Sequence, residues 1–221
     1  RDGYMTEMDS SIEILDIVLH LIVKYPGNIV YLLGNHDTFS ENLSKQGIQQ
    51  GVLFYNAIVR KRGLKYAELL ENFFTTLPLF VKHKFFLATH AGPVRNGVSR
   101  DELINVYQYP EYVWQLTWNR INETRSNPSM KEYGPEDLDV LRKLLKCPPD
   151  IPVIVGHNPM WKWGGQDSIW INPAGSRDHV ILYSNRASIC PYLSFTHSFK
   201  YEIKYADLRL RIRRFVLDDY A

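Results

Sequence analysis

Three short apolar segments of this chain each lead into a polar residue that can bind a cation, and no other feature restricts the fold as strongly. Ile29–Leu33 precedes Asn35, Ile151–Val155 precedes His157, and the second strand of a predicted hairpin precedes His90. Short apolar runs that stop at turn residues are typical of buried strands. The carboxyl ends of strands that run in the same direction lie along one edge of a sheet. We therefore expect Asn35, His90 and His157 to lie close together.

Amphipathic helices precede two of these strands. Ser10–Lys24 carries an apolar stripe at helical spacing and ends at Tyr25-Pro26-Gly27. The segment from Gly134 to Lys146 has its leucines on one face. A helix, a short turn and a strand in this order form half of a β-α-β unit. The pattern predicts an α/β fold with a mixed or parallel sheet and helices outside it.

The remaining segments predict shorter elements. Tyr66–Phe74 and Ser99–Val106 are expected to be helical, Phe80–Ala88 is expected to form a hairpin, and residues 38–65 show no strong periodicity. A chain of 221 residues with 45% hydrophobic residues can build one sizeable core, so we expect a single domain over residues 1–221. The last part is typical of short strands separated by turns, and the predicted strands are Ser168–Asn172, His179–Ser184, Ser194–Lys204 and Leu208–Leu217.

Charge and cysteine content limit the classes of partner and compartment. The formal net charge is +2, which gives no broad electrostatic reason to expect nucleic acid or a membrane surface as a partner. Cys147 and Cys190 are the only cysteines, and two distant cysteines form no disulfide framework. This usage fits a reducing compartment, so we expect a cytoplasmic protein. No apolar run is long enough to span a bilayer.

The Asn35-His36-Asp37 sequence brings three kinds of polar group to one strand end. The amide oxygen of Asn35 can bind a hard cation, the imidazole of His36 titrates near neutral pH, and the carboxylate of Asp37 can hold that imidazole in one tautomer. An alternative is that these residues open a helix, because Asn and Asp are preferred N-caps.

Three of the seven histidines share one sequence context. His36, His90 and His157 lie within two residues of a glycine directly after a predicted strand. Each of them alone is compatible with a structural histidine in the core, but their common position favours one site. An amide oxygen together with two imidazoles is a mixed ligand set that suits Mn, Fe or Zn.

The motifs in order resemble a known family. Gly34-Asn35-His36-Asp37, Thr89-His90-Ala91-Gly92 and Gly156-His157-Asn158 resemble the later motifs of the calcineurin-like metallophosphoesterases. The protein serine/threonine phosphatase branch is the most similar, because Ser11–His36 and Phe74–Gly92 resemble two of its longer segments. The resemblance implies a β-sandwich flanked by helices (α/β/β/α) with two divalent transition-metal ions at the strand ends.

The resemblance also implies roles for individual residues. Asn35, His90 and His157 would be metal ligands, and His36 would be the general acid that protonates the leaving alkoxide, with Asp37 orienting it.

Two arginines are similar to phosphate-binding residues of the family. Trp118-Asn119-Arg120 resembles the Trp-x-Arg of bacterial-type members, whose arginine grips the phosphate. Arg1 is similar to the arginine of the family's Gly-Asp-x-x-Asp-Arg motif. The aspartates of that motif and of the Asp-x-His motif would lie upstream of Arg1. We therefore expect that this chain lacks the N-terminal strands and the first metal motifs, and that restoring them strengthens metal binding and activity.

The function that this resemblance implies is metal-dependent hydrolysis of a phosphoester. The leading hypothesis is a protein serine/threonine phosphatase whose partner is a phosphoprotein, with a metal-activated water as the nucleophile. One alternative is a dinucleoside polyphosphate or other small phosphoester hydrolase of the same superfamily. A second alternative is a non-catalytic scaffold that binds a phosphorylated partner. The sequence gives no indication of the oligomeric state.

Overall fold

The computed structural model describes residues 6–45, 47–124, 129–158, 168–183 and 189–207. The chain divides into two compact units, a first unit of Arg1–Pro78 and a second unit of Leu79–Ala221. The single domain expected over the whole chain stays a prediction. Within the described ranges, no helix combines the length and the apolar character that crossing a bilayer requires.

The described part of the first unit is mainly helical. Its helices are α1 (Thr6–Lys24), α2 (Gln50–Arg62) and α3 (Leu64–Thr76), and a short antiparallel pair, β1 (Ser44–Lys45) and β2 (Ile48–Gln49), precedes α2. The helices predicted from the apolar periodicity are confirmed as α1 and α3. The α2 helix was not predicted because its buried face consists of one glycine, one alanine and one isoleucine, which make a weak apolar stripe.

The three helices share one apolar core. Ile12 and Leu15 of α1 pack with Ile58 of α2 and with Leu70 and Phe74 of α3. These positions repeat at helical spacing, so each helix turns one apolar face inward. The core is therefore the direct result of the periodicity that the sequence shows for α1 and α3.

The segment Ile29–Leu33 does not form the predicted strand. In the described part of the chain it joins no β-ladder, and it is anchored by the Leu33 amide, which donates to the Pro78 carbonyl at 2.9 Å. Tyr31 and Leu33 still pack against the helical core, whereas Val30 is 60% exposed. A strand forms where a second strand pairs with its backbone, and an apolar run by itself does not specify that partner. The predicted strand is therefore wrong at this position.

The second unit contains a mixed sheet of five strands. The strand order is β3-β4-β7-β9-β8, in which β4, β7 and β9 are parallel neighbours and the two edge strands are antiparallel to their neighbours. Strands β5 and β6 form a separate parallel pair, and β10 and β11 form a separate hairpin. The strand bounds are β3 Phe80–Lys82, β4 Leu87–Thr89, β5 Arg120–Ile121, β6 Glu132–Tyr133, β7 Val153–Val155, β8 Ile169–Ile171, β9 His179–Leu182, β10 Ile189–Phe195 and β11 Tyr201–Asp207.

The α-helices in the described part of the second unit are α4 (Arg100–Ile104), α5 (Pro110–Trp118) and α6 (Pro135–Leu144). Helix α6 confirms the helix predicted between Gly134 and Lys146. Leu138 and Leu141 on its inner face are fully buried. The observed fold is thus a mixed α/β fold with a central mixed sheet and helices. This confirms the α/β fold class and agrees with the metallophosphoesterase-type architecture expected from the motifs.

The C-terminal strands differ from the sequence prediction in one respect. Ser194–Lys204, predicted as one strand, is the centre of the β10–β11 hairpin, with Phe195 paired to Tyr201 across the turn. The turn residues 196–200 include no glycine or proline, so the sequence carries no strong turn signal at the reversal. The predicted strand Leu208–Leu217 lies outside the described residues.

Candidate metal centre

The structure brings His90 and His157 together at the carboxyl ends of two neighbouring parallel strands. His90 directly follows β4, and His157 follows β7 after one glycine. The amide of Gly156 donates to the carbonyl of His90 at 2.8 Å, and the two imidazole centroids are 5.2 Å apart. The two rings are close because β4 and β7 are parallel, so the loops that follow them begin at the same edge of the sheet.

The backbone of His157 has an unusual conformation. Its φ of 57° lies in the left-handed region, and the amide of Asn158 closes the turn by donating to the carbonyl of Gly156 at 2.6 Å. A residue other than glycine pays about 1–3 kcal/mol for such a conformation, which persists where the surroundings fix it. The Trp118 ring and the His157 imidazole pack in a T-shaped arrangement, with their centroids 5.9 Å apart.

The loop that carries His90 lies against a buried aromatic ring. A Cβ atom at Gly92 would overlap the ring of Tyr133, so a side chain at this position is incompatible with the packing. Tyr133 is fully buried and is part of β6. The Thr89 hydroxyl adds a second support, because it donates to the carbonyl of Leu79 at 2.9 Å. The His90 loop therefore has little freedom to shift.

Arg120, in the same unit, is an exposed residue between two buried neighbours, Asn119 and Ile121. Its side chain is exposed, and its amide donates to the carbonyl of Lys131 at 3.2 Å. The preceding residue, Asn119, is completely buried and donates from Nδ2 to the carbonyl of Pro93 at 3.0 Å. Ile121, which follows, is buried as well. An exposed guanidinium on a fixed backbone is suited to binding a phosphate with two parallel hydrogen bonds.

In the first unit, Asn35, His36 and Asp37 form a tight turn. The Asp37 carboxylate accepts from the amide of Gly34 at 2.7 Å and from the hydroxyl of Tyr31 at 2.6 Å. Asn35 is buried and His36 is exposed. No helix follows this turn, because residues 38–40 are non-helical. The alternative in which these residues cap a helix is therefore wrong.

The surroundings of Asp37 and Tyr31 raise the pKa of both side chains. Burial raises the pKa of the Asp37 carboxyl above its ordinary value, while the hydrogen bonds from Tyr31 and Gly34 and the nearby charge of His36 act in the opposite direction. Burial, together with the negative charge and the hydrogen bond of Asp37, raises the pKa of the Tyr31 phenol well above its ordinary value. His36 and Asp37 line a cavity of about 350 Å³ in the first unit.

The sequence as a whole identifies the family. The family model described as calcineurin-like phosphoesterase matches residues 2–197 of the 221-residue chain. The chain belongs to the calcineurin-like phosphoesterase family. Members of this family are hydrolases of phosphoesters and generally bind two divalent metal ions. A comparison with curated proteins gave no match.

Two imidazoles, those of His90 and His157, lie side by side in the described part of the second unit. No group of three or more His, Cys, Asp or Glu side chains in the described ranges is arranged to hold a metal ion. The adjacent imidazoles of His90 and His157 nevertheless fit a transition metal, because imidazole is a preferred ligand for Zn, Fe and Mn. Asn35 belongs to the first unit, and its role as a ligand stays a prediction. Arg1 lies outside the described residues.

Two residues that hydrogen-bond beside candidate site residues, Tyr31 in the first unit and Asn158 in the second, were not predicted from the sequence. Tyr31 bonds Asp37 from within the apolar run, where a tyrosine is ordinary for a buried segment. Asn158 forms hydrogen bonds with Ala91 and Ile121 in two distant segments and with Gly156 in its own turn. Its position directly after His157 offered a signal, because it is a second polar residue at the same strand end. The sequence shows that Asn158 is polar at this point, but the partners come from distant segments.

Proposed function

We propose that this protein is a metal-dependent phosphomonoesterase that acts on phosphoserine and phosphothreonine in proteins. Metal-dependent phosphoester hydrolysis follows from the family. The proposal about the substrate is supported by the order and spacing of the motifs, which resemble the protein phosphatase branch over most of the chain. The observation that carries the proposal is the 5.2 Å separation of the His90 and His157 imidazoles at adjacent strand ends.

The roles of the protein groups follow from their chemistry and exposure. We assign His90 and His157 of the second unit as metal ligands. Asn35 is assigned as a metal ligand from its sequence motif alone. The chemistry that a pair of divalent ions supplies in such enzymes is activation of a water and neutralisation of phosphoryl charge. The exposed guanidinium of Arg120 binds two phosphoryl oxygens and orients the group for in-line displacement.

His36 is assigned the proton transfer to the leaving group. Its ring is exposed and therefore accessible to a bound phosphoester. In the protonated form it donates its proton to the oxygen of the departing serine or threonine, so that the product leaves as a neutral alcohol. Asp37 stabilises the protonated ring through its negative charge, and its own position is fixed by Tyr31 and Gly34.

The test is a substrate panel on the natural protein supplied with Mn²⁺. Phosphoserine and phosphothreonine peptides are compared with a dinucleoside tetraphosphate, and kcat/KM is measured for each. For the wild type we expect the phosphopeptides to be the better substrates. His36→Ala should lower kcat by about 10²–10⁴-fold, the range typical for a general acid. His83→Ala is the matched control, because His83 is an exposed histidine on the turn between β3 and β4.

Each alternative function predicts a different experimental outcome. Faster hydrolysis of the dinucleoside tetraphosphate would reject the protein phosphatase in favour of a small phosphoester hydrolase. The absence of any turnover, with no bound metal but with retained binding of a phosphopeptide, would identify a scaffold. A His36→Ala variant as active as His83→Ala would reject the assignment of the general acid.

A further inference from the structure

Asn158 contacts the segments that carry all three proposed functional side chains of the second unit. Its Nδ2 donates to the carbonyl of Gly156 at 3.0 Å and to the carbonyl of Ala91 at 3.4 Å, and its Oδ1 accepts from the amide of Ile121 at 3.1 Å. The side chain is 2% exposed. These hydrogen bonds are therefore shielded from water. The loss of a hydrogen-bond partner is most costly for such buried groups.

Each partner of Asn158 is the direct neighbour of a functional residue. Gly156 precedes His157, Ala91 follows His90, and Ile121 follows Arg120. We propose that Asn158 is a positioning residue that fixes His90, His157 and Arg120 relative to one another. This inference rests on the proposed function, because it assigns no ligand of its own and acts through the proposed metal ligands and the phosphate-binding arginine.

The left-handed backbone of His157 explains why the loop needs this support. The Gly156 carbonyl accepts both from the main-chain amide of Asn158, at 2.6 Å, and from its Nδ2. The two bonds to one acceptor close the turn around His157 and stabilise a φ of 57° that is unfavourable for a residue with a side chain. Without the side-chain bond, the segment can relax to a negative φ, and the direction of the His157 imidazole changes.

The chemistry of the contacts requires an amide side chain. The partners are two carbonyls, which need donors, and one amide N–H, which needs an acceptor, and asparagine provides both. Aspartate keeps the acceptor for Ile121 but replaces the donors with an oxygen that faces two carbonyls. Alanine removes all of these hydrogen bonds and leaves the buried amide of Ile121 without its partner.

The test measures binding of Co²⁺ to the natural protein, with the visible absorption of the bound ion as a report of its coordination. Asn158→Ala and Asn158→Asp are compared with the wild type. We expect Co²⁺ to bind about 10–100-fold more weakly to both variants, the range seen when groups that support metal ligands are removed, with a changed absorption spectrum. The carboxylate introduced by Asn158→Asp would by itself attract the cation, so weaker binding to this variant cannot come from charge.

Asn172→Ala is the matched control. Asn172 also has a left-handed φ, of 52°, and its Oδ1 accepts from a backbone amide, that of His179, at 3.1 Å. Its loss should lower the free energy of unfolding without changing the affinity for Co²⁺ or the spectrum. If Asn158→Ala fails to fold, Asn158→Asp, which has the same size, provides the comparison.

The outcomes separate this inference from the proposed function. The positioning role would be overturned if both Asn158 variants bound Co²⁺ with the same affinity and the same spectrum as Asn172→Ala. His157→Ala tests the metal role itself. If His157→Ala binds Co²⁺ as tightly as the wild type, the proposed function fails. If His157→Ala loses the ion while both Asn158 variants keep it, the positioning role alone fails.

Discussion

The phenolic oxygen of Tyr133 lies 2.9 Å from Nε2 of His179, and both side chains are completely buried in the second unit. The other ring nitrogen, Nδ1, lies 2.8 Å from the carbonyl of Val153. A carbonyl can only accept, so Nδ1 carries the proton and Nε2 accepts from the tyrosine hydroxyl. The geometry therefore holds His179 as a neutral imidazole that joins β6, β7 and β9.

The neutral state of His179 makes the stability of the protein depend on pH. Burial lowers the pKa of His179 from 6.5 to about 4; the positive charge of Arg142 acts in the same direction, and the bond to the Val153 carbonyl opposes both. Between these two values the unfolded chain binds a proton that the folded protein does not bind, so the free energy of unfolding rises with pH. The contribution is complete above about pH 6.5 and is lost as the pH falls toward 4. We expect a loss of about 2 kcal/mol between pH 7 and pH 5 from this group.

Urea unfolding at pH 7 and pH 5 checks this expectation. His179→Gln removes the titrating ring, so the variant should be less stable at pH 7 but should lose less stability on acidification than the wild type. Equal losses in both proteins would mean that other groups cause the acid sensitivity.

Arg142 should be one of the most sensitive positions of the fold. Its guanidinium is buried, and it donates to the carbonyls of Ile151, Arg177 and Asp178 at 3.0, 2.8 and 2.9 Å. Arg142→Leu would leave these carbonyls without donors, and we expect a loss of about 4 kcal/mol in the free energy of unfolding. Asp139→Ala, which removes the 64% exposed partner of the same guanidinium, should cost less than about 1 kcal/mol in the same denaturant experiment. Similar losses in the two variants would show that the ion pair, not the carbonyl contacts, is the important interaction.

The elements that were predictable from the sequence are those whose information is local. The apolar stripe of α1, the hairpin of β3 and β4 and the β7 strand depend on periodicity and on turn residues within one segment. The same information places His90 and His157 directly after strands. The parallel pairing of β4 with β7 then accounts for the proximity of the two rings.

The features that could not be predicted depend on contacts between distant segments. Ile29–Leu33 has the composition of a strand, but pairing partners decide strand formation and the local sequence does not specify them. Likewise, the sequence shows Asn158 only as a polar residue in a turn, and its function depends on Ala91 and Ile121, which lie far away in the chain. The turn at residues 196–200 was not predicted because it includes no glycine or proline, the residues that mark turns most strongly in a sequence.

A charge cluster joins the three helices of the first unit. Asp16 of α1 accepts from Nε of Arg62 in α2 at 3.2 Å and from the hydroxyl of Tyr66 in α3 at 2.7 Å. The side chains of Asp16 and Arg62 are 31% and 39% exposed, so solvent weakens the ion pair. We expect Asp16→Ala to lower the free energy of unfolding by about 1 kcal/mol, and Asp16→Asn, which keeps an acceptor for Tyr66, to cost less. The difference in free energy of unfolding between the wild type and Asp16→Asn should become smaller at high NaCl, because salt screens the ion pair. A difference that is the same at low and high NaCl would contradict the ionic contribution.

Arg120 provides the most direct test of phosphate binding in the second unit. The buried neighbours Asn119 and Ile121 fix its backbone. Arg120→Lys keeps the charge but loses the planar pair of donors that matches two phosphoryl oxygens. We expect the inhibition constant of inorganic phosphate to rise about tenfold, and Arg120→Ala to raise it about 10–100-fold, as for the loss of a charged hydrogen bond. Arg100→Lys, at the exposed start of α4, is the control and should leave the constant unchanged. Equal inhibition constants for Arg120→Lys and Arg100→Lys would show that the paired donors of Arg120 do not bind phosphate.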